Sequence, residues 1–363
     1  MSIPLFRPFV NKEVSAAVND VFKSRWLGYG PKAMELEKRF ADKWSGFAVA
    51  TNSCTSALFL VAKALFETKE DEAIVPAITF VSTGMAFYNA GFKVVIADID
   101  ENGLMDINSA KKLINKNTKV IVPVHLYGQK IDLKEYRKLC DEKGIYLVED
   151  CAHRIGYHDE KRYGHFACFS FNAMKELPSG EGGALWGEDM SFEKTIRAFA
   201  NVGLKQNTVE RVSTTKHSNY MFSDNTGLKY LQNDIIAAMT LAQFNSYDSN
   251  IQKRKAIFNK YNAVLSKKEY AKLIQRSEDD SYLMYVVRIK KDFVEAFRNH
   301  LSKYEIATSH HYPSLANHPL FTKKIPCPIA EEIQYELVTL PCFIELSEEE
   351  QEMVVKAIDS FKE

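Results

Sequence analysis

Lys175 lies five residues after Ser170, beyond the end of the apolar run Ala167–Phe171, and just before the turn Ser179-Gly-Glu-Gly-Gly183. Upstream, the apolar run Ile145-Tyr-Leu-Val-Glu-Asp150 ends on a carboxylate. A lysine amine can form a Schiff base with an aldehyde. A carboxylate can hold a pyridine nitrogen protonated, so that the ring acts as an electron sink. Hydroxyls and backbone N–H groups can receive a phosphate. These are the parts that pyridoxal phosphate needs. A loop lysine taken alone is a solvated surface charge; the combination carries the argument.

Each further candidate has a plainer reading beside it. Burial near a cofactor would depress the basicity of Lys175 and leave a neutral amine for attack and proton transfer. Asp150 fits a pyridinium partner, although aspartate is also a common helix N-cap. Glu149 would point to the opposite face of the same strand. The turn Asn52-Ser-Cys-Thr-Ser56 opens a helical run, so the Thr55 hydroxyl and the amides around Cys54 and Thr55 could hold a phosphate, or a hydroxyl here could simply cap the helix. Ser170 is a second phosphate donor if Lys175 is the Schiff-base residue. Phe80, after Val75-Pro-Ala-Ile-Thr79, could stack on the pyridine face or pack in a core. His125 and His153 follow strand ends, but no His/Cys/Asp spacing matches a metal-ligand pattern and no metal is expected. Neither GxGxxG after a strand nor GxxxxGK[ST] occurs.

The elements that must position these groups alternate. Strand-like runs recur at Phe47–Thr51, Ala73–Ile78, Lys93–Ile99, Val120–Leu126, Ile145–Val148, Ala167–Phe171 and Ala184–Trp186, with helical stretches such as 33–43, 57–66, 106–114 and 133–142 between several of them. Strands apolar on both faces predict an α/β fold with a mostly parallel sheet flanked by helices. Ligands gather beyond the carboxyl ends of such strands, and Thr55, Phe80, Asp150, Ser170 and Lys175 all fall there. Residues 204–225 read as surface loop, and 234–244 as a helix. From about residue 246 the pattern becomes α+β: helix, strand 282–289, helix 293–303 and a last helix after the capping-box-like Ser347-Glu-Glu-Glu350. The expected division is a large domain, 1–245, and a smaller C-terminal domain, 246–363.

Composition excludes several partners. Basic and acidic residues number 47 each in 363, so no net field favours nucleic acid or an anionic membrane. No apolar run reaches the length of a membrane span, and the opening Met1-Ser-Ile-Pro-Leu-Phe-Arg lacks a signal-peptide core. The six cysteines (54, 140, 151, 168, 327, 342) are scattered without a CxxC pair. They read as reduced, mostly buried thiols of a cytoplasmic protein.

In order along nearly the whole chain, these pieces resemble the DegT/DnrJ/EryC1/StrS family of sugar aminotransferases, pyridoxal-phosphate enzymes of fold type I. The resemblance rests on Ile3-Pro-Leu-Phe-Arg-Pro8, Ser24-Arg-Trp-Leu-Gly-Tyr-Gly-Pro31, Thr51-Asn-Ser-Cys-Thr-Ser-Ala-Leu58, Pro76-Ala-Ile-Thr-Phe-Val-Ser-Thr83, Val122-Pro-Val-His-Leu-Tyr-Gly128, Val148-Glu-Asp-Cys-Ala-His153, the Lys175 segment, Gly227–Ala238 and His311-Tyr-Pro313. It implies that Lys175 forms the Schiff base and that Asp150 pairs with the pyridinium nitrogen. His153 would lie against the ring, and Phe80 would stack on the substrate side. Ser170, Thr55 and the amides around Cys54 would hold the phosphate, joined by the Gly227–Ala238 segment of a partner subunit, so a homodimer is implied. Three positions depart from the pattern. Cys54 stands where glycine is common. Lys229 stands where an asparagine reaches the partner's phosphate, and its cation could replace that contact; Leu231 likewise stands where a basic residue is common.

The activity so implied is transfer of an amino group from an amino acid, L-glutamate by resemblance, to a nucleotide-linked keto-sugar for surface polysaccharide, with pyridoxamine phosphate formed between the two halves. Trp26, Tyr29, the segment 211–220 and His311 are the candidate substrate contacts. A sugar dehydratase of this scaffold would replace the lysine by histidine, and Lys175 argues against it. A non-catalytic pyridoxal-phosphate-binding regulator would carry a DNA-binding or sensor segment, and none is visible. An amino-acid aminotransferase would need a fixed arginine for the α-carboxylate. Among Arg254, Arg276, Arg288 and Arg298 none sits in a recognisable motif.

Overall fold

The computed structural model describes residues 2–212, 221–224 and 226–362. Its main sheet has seven strands, β1 (Phe47–Thr51), β2 (Glu72–Pro76), β3 (Lys93–Ala97), β4 (Thr118–Ile121), β5 (Tyr146–Cys151), β6 (Phe166–Ser170) and β7 (Gly183–Gly187), in the order β1-β7-β6-β5-β4-β2-β3. All neighbours are parallel except β7, which runs antiparallel to both β1 and β6. The apolar runs explain the layering. Within β2 and β3 successive residues point to opposite faces. Val75, Val94 and Ile96 pack into one core with the helix Cys54–Leu65, while Ile74, Val95 and Ala97 pack into another with Leu133, Tyr136 and Cys140. Both faces are therefore covered, as a parallel sheet requires.

Two strands depart from their expected extents. The predicted run to Leu126 stops at Ile121, and the chain turns through Pro123 into a short 3-10 turn, Leu126–Gly128, where Tyr127 has φ +59°. β5 runs on to Cys151, so Asp150 lies inside the strand with its amide bonded to the Pro123 carbonyl (2.9 Å).

Beyond residue 246 a second sheet, β8 (Ala271–Leu273), β9 (Tyr285–Ile289) and β10 (Leu337–Leu340), is antiparallel in the order β10-β9-β8. Its core is built with the helices Tyr247–Leu265, Lys291–Lys303 and Glu348–Ser360. Ser347 and Glu350 close a reciprocal capping box on the last of these. Ile3 joins this core by bridging to Ile306.

Candidate active site

The β6–β7 connection is a hairpin loop over residues 171–182, held by its own backbone hydrogen bonds. Phe171 N–H donates to Gly182 O (2.9 Å), Ala173 N–H to Gly180 O (2.9 Å) and Ser179 N–H to Phe171 O (2.8 Å). These bonds fix the loop that carries Lys175. Pairing sets Ser170 opposite Gly183, and Gly183 opposite Thr51 on β1. A bridge from Gly182 to Ser53 then brings the loop against the start of the helix Cys54–Leu65. Here glycine is required by close approach: a Cβ on Gly183 would stand 2.5 Å from the Cys54 amide nitrogen.

That helix start settles the capping question. Ser53 Oγ accepts from Ser56 N–H (3.1 Å), so Ser53 is the cap, and Thr55 stands exposed in the first turn. The amides of Cys54 and Thr55 lie in the first turn, whose N–H groups have no intrahelical acceptor. With buried Ser170 beside them, they form a seat suited to a phosphate. Gln232, 1 % exposed, packs its amide against Gly182, and neither its Oε1 nor its Nε2 has a hydrogen-bond partner among the described residues. A polar group left open beside the seat fits a polar occupant.

Lys175 is half-buried. Burial pulls its amine down to about 8, against the opposing pull of Cys54 and Asp150. Asp150 is 3 % exposed, and burial raises its carboxyl above the usual range while hydrogen bonds hold it back. Its Oδ2 accepts from Thr83 Oγ1 (2.7 Å), which is paired with Thr79 Oγ1 (3.0 Å), and its Oδ1 accepts from the Ala152 amide (3.0 Å). His153 is buried, and burial followed by the Lys175 charge keeps its imidazole neutral. Because Tyr127 N–H donates to its Nδ1 (3.1 Å), the proton sits on Nε2, which faces Tyr312 Oη at 3.3 Å.

The surface next to His153 is aromatic. Tyr312 lies 5.8 Å from the half-exposed Phe80 ring and 6.1 Å from His153, centroid to centroid. His311 bonds Thr339 through Nδ1 (2.8 Å), and its carbonyl accepts from Tyr127 Oη (2.5 Å). Burial and the Lys175 charge pull His311 down to about 4.

Other expected contacts lie apart. Trp26 donates through Nε1 to Tyr29 O (2.9 Å), and Tyr29 is buried with its hydroxyl on Glu37 (2.9 Å). Glu37 also takes the Ala50 amide and Arg197 (both 2.9 Å). Tyr29 is thus occupied within a core, and no described contact links it to Lys175 or Asp150. Lys229 is exposed, bridging Asn201 through its backbone. Of the segment 211–220, residues 213–220 lie outside the described residues. Sequence reading passed over Thr83, Tyr127 and Tyr312. Thr79 and Thr83, spaced i, i+4 after a strand, were the available signal for the first.

Glu149 does point to the other face of β5. There it meets His125 Nε2 (3.2 Å), Arg162 Nη1 (3.3 Å) and the amides of Tyr163 (2.8 Å) and Gly164 (2.6 Å). Burial would raise its carboxyl, but His125, Arg162 and the Gly164 amide hold it at about 2. Cys151 lies close enough to His125 and Glu149 for the three to frame a metal. However, His125 Nδ1 accepts from Ile131 N–H (3.2 Å) and Arg162 Nη1 stands 3.6 Å from the thiol, so the donors are already engaged.

Residues 8–359 match the profile of the DegT/DnrJ/EryC1/StrS aminotransferase family. The chain is 30 % identical to the spore coat polysaccharide biosynthesis protein SpsC of Bacillus subtilis, over 98 % of this chain and 96 % of that one. It is 28 % identical to the GDP-perosamine synthase of Escherichia coli O157:H7, over 99 % and 98 %. Among solved structures, Spr1654 of Streptococcus pneumoniae in its PMP form superposes with a TM-score of 0.90 at 25 % identity, over 99 % of this chain and 98 % of that one.

Proposed function

The chain belongs to the DegT/DnrJ/EryC1/StrS aminotransferase family, working with pyridoxal phosphate, and from that premise we propose that it transfers an amino group from L-glutamate to a nucleotide-linked keto-sugar. The observation that carries this reading is the pairing of an amine made less basic by burial, Lys175 at about 8, with the buried carboxylate of Asp150 at one end of the sheet. Bound pyridoxal phosphate supplies the aldehyde and the electron-withdrawing ring.

The chain's own groups supply the rest. The amides of Cys54 and Thr55, the Thr55 hydroxyl and Ser170 receive the phosphate. Asp150 holds the proton of the ring nitrogen. The Lys175 amine takes the proton from the α-carbon of the amino donor in one half and returns one to the sugar carbon in the other. Neutral His153 lies along the ring, while Phe80, Tyr312 and His311 wall the substrate.

The working unit in this reading is a homodimer. Met221, Phe222 (71 % exposed) and Leu228 stand out near Val202 and Lys229, on segments joined by the isolated Leu204–Phe222 and Asn201–Lys229 bridges. An apolar patch beside the exposed Lys229, which has no ion pair among the described residues, suits a second copy that brings this cation to the phosphate seat. No helix among the described residues is long and apolar enough to cross a membrane, and a cytoplasmic enzyme feeding surface-polysaccharide synthesis fits the reading.

The test is the visible absorption of the protein with pyridoxal phosphate, before and after L-glutamate, beside Lys175→Ala. A yellow band that L-glutamate bleaches to the pyridoxamine form, and that borohydride fixes on Lys175, establishes the first half; keto-sugar nucleotides are then screened for the second. A band unmoved by any amino donor defeats the reading.

A further inference from the structure

Asp150 is buried, yet both its oxygens accept hydrogen bonds. An ionised carboxylate can only accept, so Thr83 Oγ1–H must donate to Oδ2 at 2.7 Å. A hydroxyl has a single proton. Thr83 must therefore accept at its other contact, and Thr79 Oγ1–H donates to it at 3.0 Å. The relay thus has one direction, Thr79 to Thr83 to Asp150, and it is sealed from water: Thr79 is 2 % and Thr83 1 % exposed. The Ala152 amide at 3.0 Å completes the set on Oδ1.

Burial strengthens a carboxylate as a base, and donors to its charged form weaken it. This matters because Asp150 shares a proton with the ring nitrogen in the cofactor seat argued above. A proton between two coupled groups resides mainly on the stronger base. If Asp150 were the stronger, the ring would be neutral and a poor electron sink. We propose that Thr83, backed by Thr79, is a positioning residue that keeps Asp150 the weaker base of the pair, so that the shared proton stays on the ring nitrogen. The inference rests on the proposed seating of the ring on Asp150.

The experiment reconstitutes the holoenzyme with pyridoxal phosphate labelled with ¹⁵N in the ring and reads that nitrogen's resonance at neutral pH. Wild type is expected in the pyridinium range. Thr83→Val, close in shape but without a donor, is expected to move the resonance towards that of unprotonated pyridine and to speed cofactor loss about tenfold. Thr83→Ser restores both, and Thr79→Val gives a smaller displacement in the same direction. A Thr83→Val resonance identical to wild type overturns the proposal, whatever happens to turnover. Should Thr83→Val not fold, Thr79→Val decides, and an unmoved resonance there overturns it too. A wild type that binds cofactor without a pyridinium resonance overturns the ring's seating on Asp150 and the relay with it, whereas failure to bind cofactor at all is the separate failure of the functional reading.

Discussion

The two faces of β5 carry adjacent carboxylates in opposite circumstances. On one face Glu149 is enclosed by a histidine, an arginine and two amides and held at about 2. On the other, Asp150 has a hydroxyl and an amide, and its carboxyl stays above the ordinary range. Both are about equally buried, so burial does not distinguish them. The difference lies in unused capacity. Glu149 meets its full complement of donors inside the protein, which makes it structural. Asp150 meets only part, leaving room to engage a cationic group from outside the chain, which is what a cofactor site needs.

That contrast can be broken most severely at the amine serving the open face. Lys175→Ala should lower amino transfer by roughly three orders of magnitude or more, with the apoprotein's melting temperature little changed; steady-state turnover beside calorimetry reads both. The closed face should answer in the opposite currency. Glu149→Gln leaves Arg162 buried against a neutral partner and should cost about 3–5 kcal/mol of stability, seen in denaturant titration. Because the folded value of Glu149 lies below its ordinary 4.5, its contribution is fully present above that value. It is lost as pH falls towards 2, so wild type and Glu149→Gln should converge in melting temperature on acidification.

Asp150→Asn sharpens the comparison from the other side. A carboxyl raised by burial favours a neutral group in its place, so the apoprotein's melting temperature should hold or rise while transfer is lost. A smaller effect concerns the amine's titration. Capture of pyridoxal phosphate by the apoprotein needs neutral Lys175, so its stopped-flow rate should climb with pH and level off above about 8. Least of all, Thr55→Ala should weaken cofactor affinity by about fivefold, since amides of the same turn remain.

The alternation of apolar runs and loops was enough to read the parallel sheet and to place Lys175, Asp150 and Ser170 at or near its strand ends, because strand-end position is a local property. What escaped was set by distance. Thr83 meets Asp150 across 67 residues, and nothing local to either says so. Tyr29 is a candidate substrate contact whose surroundings the sequence does not show. Its hydroxyl is spent on Glu37, which in turn holds Arg197, 160 residues further on. The run to Leu126 looked like continuous strand because hydrophobicity is blind to the left-handed backbone at Tyr127.

The antiparallel β7 has a consequence for the order in which the chain acquires its chemistry. Ser170, Lys175 and Gly183 belong to one hairpin, with a loop over residues 171–182, so their juxtaposition is local in sequence and can form before the distant strands pair. The carboxylate side needs β2, β4 and β5 in place before Thr83 can reach it. A refolding chain therefore gains its nucleophile's loop early and the proper charge opposite it late. Cofactor supplied during refolding should be caught before it can be used, and the lag between colour and turnover times the docking of the distant strands.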